Sequence, residues 1–570
     1  MCICDCKSKL ISLYHAIDLF YYSPGSVHNH HFWSAFHLAR HARHKSKKVP
    51  VIFGISNNGM SISYSTDDYV RTLFENDPLV KLFQAEGGDM MSVYDQTRQA
   101  ADHSRKRGAP SVILYNNITR RFGHAASDRQ HAYLDAEKIQ KMADQDVLER
   151  AVTQAVEVFD ACTYAEVKDR FEEIKSGTRG AFAQASQEEK VTREDMLQQI
   201  AQPMVPVPRL PKIILEKNTA NDEMGKTDTK QEVMRKHMTR VIEESLKSDP
   251  SVVYIGEDVE HGGYYLVTEQ LARKYPGRVV DFPPDETSLL GAAMGFAQVG
   301  LTPIIEIPYA KYLDCGADMF YEIAIMNWLS AGKQPNGMII RLQGFDRGLF
   351  GGNFHTHNML SNIPPGVDMV CYSNGEDYAR GFRNALAQAK AGRVVISVDS
   401  TNLLNLRHLY GKDRGWERPY PDAKDSETRM MSFHDVVRYG STGKVAFVTY
   451  GNGVVTALQA RRALLEKNAI SSEADVDIID SPCLSMVPNG LKEALSQYEG
   501  IVFADICKEG PGSNVFSSVV VALKEEGLLP KHWTTKFASR TYNPLGSIET
   551  FLNVEDIQGA YGKLLSDMSK

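Results

Sequence analysis

Val49-Pro50-Val51-Ile52-Phe53-Gly54-Ile55 is an apolar run that stops at Ser56-Asn57-Asn58-Gly59. A run this short, bounded by turn residues, reads as a strand buried on both faces, as in a parallel sheet. Similar runs recur at 110–115, 252–255, 303–307, 338–340, 394–398, 445–448 and 501–504. Helical periodicity separates most of them, for example over 455–467. This alternation predicts an α/β fold of doubly wound parallel sheets with helices on both faces.

The chain has 570 residues, room for roughly three to five domains. Lys plus Arg is 64 against 71 for Asp plus Glu, a net charge of −7, so nothing favours a nucleic-acid partner. No apolar run reaches the roughly 18 residues of a membrane span. Eight cysteines are too sparse for a disulfide scaffold, which points to a reducing, intracellular compartment. Residues 1–25 read as an atypical N-terminus with thiols at Cys2, Cys4 and Cys6, and lack the Arg-rich pattern of a mitochondrial presequence.

Punctuation divides the rest. Pro203, Pro206, Pro208 and Pro211 mark 201–229 as a linker, and 411–442 is a second polar stretch read the same way. Three α/β domains are expected, at 26–200, 230–410 and 443–570. Six histidines between His28 and His44 read as the polar face of a helix whose other face is Phe32, Trp33, Phe36 and Leu38.

Four constellations can carry chemistry, each with a plainer reading. Asn57-Asn58-Gly59 ends a parallel strand, where α/β folds bind ligands, and amide oxygens suit Mg²⁺ or Ca²⁺; it is also a common turn. Arg120-Arg121-Phe122-Gly123-His124 can hold an anion and shuttle a proton, or be an ordinary polar loop. Glu286, in Asp285-Glu286-Thr287-Ser288-Leu289-Leu290-Gly291, precedes a small-residue helix and can be a reactive carboxyl or a cap. Gly351-Gly352-Asn353-Phe354-His355-Thr356-His357-Asn358 is a glycine-rich loop with a His-x-His that can be half a metal site.

In this order, the set resembles the thiamine-diphosphate-dependent, decarboxylating component of 2-oxoacid dehydrogenase complexes, with alpha and beta subunits fused in one chain. Residues 49–200 resemble the later part of the alpha subunit, including Asp89 and Tyr94. Residues 230–570 resemble the beta subunit, through Gly256-Glu257-Asp258-Val259, Asp285 to Gly295, Glu306 to Asp314, the 351–358 loop, and Thr449-Tyr450-Gly451-Asn452-Gly453. The resemblance implies a transketolase-like fold, thiamine diphosphate and Mg²⁺. It implies oxidative decarboxylation of a branched-chain 2-oxoacid or pyruvate, with acyl transfer to a lipoyl-bearing dihydrolipoyl acyltransferase. A homodimer follows, in the mitochondrial matrix of a eukaryote or the cytoplasm of a bacterium.

The same resemblance assigns roles. Glu286 bonds N1′ of the cofactor's pyrimidine and promotes loss of the thiazolium C2 proton. Tyr312 lies beside the pyrimidine. His124 and His355 handle protons during decarboxylation and acyl transfer. Asn58 and the Met60 carbonyl ligate Mg²⁺, and Ser56 and Arg120 lie on the diphosphate side.

One departure stands out. Relatives carry Gly-Asp-Gly or Gly-Asp-Ala upstream of the asparagine pair, and its carboxylate ligates magnesium. The matching stretch here is Ser23-Pro24-Gly25-Ser26, and the nearest carboxylate is Asp18. An N-terminally truncated enzyme is one reading, and a catalytically impaired assembly subunit is another. A transketolase-like or deoxyxylulose-phosphate-synthase-like enzyme is the enzymatic alternative.

Overall fold

The structure is a computed structural model. It describes residues 18–23, 25–66, 68–120, 122–144, 146–198, 204–207, 214–216, 230–330, 332–345, 364, 366–425, 429–441, 443–509, 516–539 and 551–570. They fall into two compact units, Met1–Met196 and Leu197–Lys570.

In the first unit four parallel strands lie in the order Asp18–Tyr22, Val51–Asn57, Ser111–Asn116, Lys81–Glu86. The run that opened the reading is one of the two central strands. Its side chains alternate between two apolar clusters. Phe53 and Ile55 join Val112 and Leu114 against Phe32, Phe36 and Ala39 of the helix His30–His44. Ile52 joins Ile113, Phe83 and Ala85 with Ala100 of the helix Met90–Arg107. Both faces are covered, as a parallel sheet requires. The histidine-rich segment is the helix that its pattern predicts, with Phe32 and Phe36 buried.

The strand Asp18–Tyr22 is a departure from expectation. It pairs with 51–55 over five residues, inside the stretch read as an atypical terminus. Phe20, Tyr21 and Tyr22 favour a strand, but the run is only five residues long and Ser23-Pro24-Gly25 ends it, so it does not stand out as the longer apolar runs do.

The second unit holds two six-stranded sheets around one continuous apolar core, besides a short antiparallel pair of Gln231–Glu232 with Arg418–Pro419. The first has the order Val279–Asp281, Val252–Gly256, Thr302–Ile307, Met338–Gln343, Val394–Asp399, Val367–Val370, all parallel. The second runs His532–Ala538, Gly500–Lys508, Val445–Thr449, Val476–Asp480, Val436–Tyr439, Ile214–Glu216, and only the pairing of Val436–Tyr439 with Val476–Asp480 is antiparallel.

Both expected linkers contribute structure. From 201–229, Ile214–Glu216 adds the edge strand of the last sheet, and Val205 exchanges two backbone bonds with the Gln388 amide at 2.8 and 2.7 Å. In 411–442, Trp416, Met431 and Phe433 are buried, and the indole N–H of Trp416 donates to the Ser373 carbonyl at 3.1 Å. A few large apolar residues anchor a stretch whose average composition is polar. Among the described residues no helix is long and apolar enough to cross a membrane.

Candidate functional site

Each unit carries part of the predicted constellation, and each part lies at the C-terminal ends of parallel strands, where such sheets take ligands.

In the first unit Asn57 ends its strand and donates to the Asn116 side chain at 2.9 Å, tying two strand ends together. Gly59 follows at φ +74°, a backbone conformation that favours glycine. The chain therefore turns back sharply, and the Asn58 side-chain oxygen accepts from the Met60 N–H at 3.1 Å. Asn58 and Met60 line a cavity of ≈ 620 Å³ together with Arg120 and His124. Four of the residues singled out from sequence thus share one wall. Ser56 lies on the strand in register with Tyr115 and is not in that wall.

Arg120 is only 8% exposed and is held from one side. Its Nη2 donates to the Ile62 carbonyl at 2.6 Å and the Tyr133 hydroxyl at 3.0 Å, and reaches the Asp128 carboxylate at 3.4 Å. Its Nη1 is buried without a hydrogen-bond partner. Asp128 accepts from the His124 N–H at 2.6 Å and the Tyr133 hydroxyl at 2.9 Å. The His124 N–H, more than the Tyr133 hydroxyl and the Arg120 charge, holds the Asp128 carboxyl below its usual range. Asp89 is a helix cap rather than part of this wall, its carboxylate accepting from the Met91 and Ser92 N–H groups.

Asn58 and Met60, the two residues expected to bind Mg²⁺, line one cavity, but no carboxylate stands among the described residues of its wall. The stretch Ser23, Gly25 and Ser26 does line it, where relatives place the aspartate. A hard dication takes carboxylate oxygen beside its neutral ligands and water, so these residues do not complete a magnesium site.

In the second unit Glu286 opens the helix Glu286–Gln298, with Asp285 as cap through the Ser288 N–H at 3.3 Å. Capping thus falls to Asp285, which leaves Glu286 for another role. The Glu286 carboxyl is half-buried, and burial raises its pKa. Tyr312 is half-buried and packs edge to face on Tyr309 at 6.0 Å between ring centroids, and Tyr309 on Tyr264 at 5.6 Å. His355 lies outside the described residues.

Sequence reasoning quoted Glu257 without giving it a role. It follows the strand Val252–Gly256, beside the strand that leads to Glu286. Burial first, then the charges of Glu286, Asp258 and Glu306, push its carboxyl up to about 7. The reading also missed a buried ion cluster on one sheet face. Glu306 accepts from the Tyr254 hydroxyl, from Arg341 Nη1 at 2.5 Å and from the Tyr264 N–H at 2.6 Å. Arg341 Nε binds Asp399 at 2.7 Å. The signal available was one Glu and one Arg paired directly on neighbouring apolar strands, with one Asp two residues further along the next strand, opposite Gln343. Gly263, at φ +62°, sits where a Cβ would come within 2.6 Å of Glu306 Oε1, so the turn that brings Tyr264 to Glu306 needs glycine.

Comparison with known proteins agrees with these two halves. Residues 15–194 match the family described as Dehydrogenase E1 component, and residues 230–404 match Transketolase, pyrimidine binding domain. The beta subunit of acetoin:2,6-dichlorophenolindophenol oxidoreductase from Cupriavidus necator is 28% identical over 44% of this chain and 71% of its own length. The pyruvate dehydrogenase E1 component subunit beta of Bacillus subtilis is 28% identical over 43% and 71%. The 2-oxoisovalerate dehydrogenase subunit beta of Pseudomonas aeruginosa is 36% identical, over 20% of this chain and 33% of that protein. A transketolase mutant from Pichia stipitis superposes with a TM-score of 0.56 at 12% identity, over 97% of this chain and 76% of its own, a likeness of fold alone.

Proposed function

We propose that the chain is a thiamine-diphosphate-dependent E1 dehydrogenase with alpha-like and beta-like portions in one polypeptide, and that it oxidatively decarboxylates a 2-oxoacid. The acyl group passes to the lipoyl arm of a dihydrolipoyl acyltransferase. Pyruvate and branched-chain 2-oxoacids are the substrate class, after the names of the relatives. A homodimer is the proposed assembly, in the mitochondrial matrix or the bacterial cytoplasm.

The observation that carries this reading is Glu286, a half-buried carboxyl of raised pKa whose capping task is done by its neighbour. Thiamine diphosphate, when bound, supplies the acidic thiazolium carbon and the electron sink for decarboxylation. The protein's share is orientation and proton handling. Glu286 would face the pyrimidine of the cofactor and hold a proton there, and burial, by raising its pKa, favours the protonated form. Tyr312 would border the ring. The free Arg120 Nη1 would donate to a diphosphate oxygen, a charge-assisted bond. His124, exposed at the cavity mouth, and His355 are the proposed proton carriers toward substrate. The magnesium expected beside the diphosphate enters no step.

Glu286→Gln tests the reading. With thiamine diphosphate bound, loss of the carboxyl should slow C2 proton exchange, followed by NMR, by about 10²–10⁴-fold. Exchange at the wild-type rate removes the role assigned to Glu286.

A further inference from the structure

We propose that the cavity of the first unit takes the diphosphate as a free anion, with the Arg120 guanidinium rather than a divalent cation balancing its charge. This rests on the functional reading above and concerns only how the diphosphate end is held.

Mg²⁺ prefers an octahedron of oxygens and is bound through one or two carboxylates besides phosphate and water. The described wall offers Asn58, Met60, Ser23, Ser26 and Ser61, all neutral, and no carboxylate. The Asn58 oxygen is already an acceptor for the Met60 N–H. Asp18 is the nearest acid in sequence, but it opens its strand while Tyr22, at the far end, lines the cavity. At about 3.3 Å per residue, that places the Asp18 backbone about 13 Å away along the strand. Asp128 stands behind Arg120, and its Oδ2 already accepts from the His124 N–H, the Tyr133 hydroxyl and Arg120 itself.

The wall instead presents positive charge. Arg120 is pinned through Nη2, so its buried, unpartnered Nη1 is fixed in place. A buried donor without an acceptor is costly, and an anionic oxygen relieves that cost. Asn29 and His31, at the N-terminus of the fifteen-residue helix His30–His44, line the same cavity. That end carries the positive pole of the helix dipole. The guanidinium, although it shares its charge with Asp128 at 3.4 Å, and the helix pole together offset part of the charge of a diphosphate.

Calorimetric titration of the full chain with inorganic pyrophosphate, thiamine and thiamine diphosphate tests this, each in excess EDTA and in millimolar MgCl₂. Pyrophosphate and thiamine diphosphate should bind in EDTA, with Mg²⁺ changing either affinity by less than about 3-fold. Arg120→Met should weaken both by about 10–100-fold, the worth of a hydrogen bond to a charged group. Arg120→Lys, which keeps the charge, should recover part of the loss, and melting curves report whether either variant is folded. Thiamine diphosphate that binds only with Mg²⁺ overturns the inference and leaves the enzyme reading standing. Metal-free pyrophosphate binding, with thiamine diphosphate no tighter, supports the anion site and overturns the enzyme reading. Binding of neither ligand under either condition overturns both.

Discussion

Replacing Glu257 with glutamine should stabilise the protein in a pH-dependent way. Burial, then Glu286, Asp258 and Glu306, raise this carboxyl from 4.5 to about 7. The folded state therefore holds the proton more tightly than the unfolded state. The associated stability is full below about pH 4.5 and is lost as pH rises through about 7. A gap of about 2.5 pH units at about 1.36 kcal/mol each sets a ceiling of about 3.4 kcal/mol. Glu257 is only half-buried, and solvent screening brings the figure to about 2 kcal/mol. Glu257→Gln removes the titration, so it should gain about that much at pH 8 and only about a quarter of it at pH 5. In a unit of this size about 2 kcal/mol moves the melting temperature by about 2–4 °C. Calorimetric scans of both proteins from pH 5 to 8 should show the difference opening with pH. A constant difference, or a variant less stable at pH 8, would refute the reasoning. The Glu286 charge is the second cause of the shift, so in a Glu286→Gln background the benefit at pH 8 should shrink.

Two further substitutions test the core. Arg341→Met leaves Glu306 and Asp399 buried without their shared cation and should cost about 3–5 kcal/mol, lowering the melting temperature by about 4–8 °C; Asp399→Asn in the same chain should return part of it. A Cβ at Gly381 would lie 1.9 Å from Tyr372 Cζ, so Gly381→Ala should destabilise by about 1–3 kcal/mol, and a double-mutant cycle with Tyr372→Ala should show a coupling of opposite sign.

The central strands were legible because they are buried on both faces and read as unbroken apolar runs. Edge and interrupted strands were not. Lys81-Leu82-Phe83-Gln84-Ala85-Glu86 is the sheet edge of the first unit, and its polar residues alternate with its buried ones. Val476-Asp477-Ile478-Ile479-Asp480 hides two aspartates in a wholly buried strand, one bonded to the Tyr498 hydroxyl at 2.9 Å and the other to the Ser373 hydroxyl. Such acids look like loop residues until their partners, distant in sequence, are brought beside them. In the first unit spacing alone left Asn58 and the Arg120–His124 stretch as two separate features, and only the resemblance joined them with Met60; the four line one cavity because each follows a central strand. What spacing cannot give is the state of each group. Arg120 has an unused donor only because Tyr133 and the Ile62 carbonyl hold its other nitrogen.

The same distinction sorts the three glutamates of the second unit. Glu306 is fully buried, and the Tyr254 hydroxyl, Arg341 Nη1 and the Tyr264 N–H all donate to it, so its work is structural. Through the Tyr264 N–H it fixes the turn whose ring packs on Tyr309 and, through it, on Tyr312. Glu257 and Glu286 have no ion pair among the described residues, lie at adjacent strand ends, and repel one another. Burial without a counter-ion raises the pKa of a carboxyl, as at Glu257 and Glu286. A cationic partner for Glu286 would have stabilised the unit and left the carboxylate permanently charged. Among the described residues Glu286 has none, and burial there raises its pKa, as the proposed proton-handling role requires.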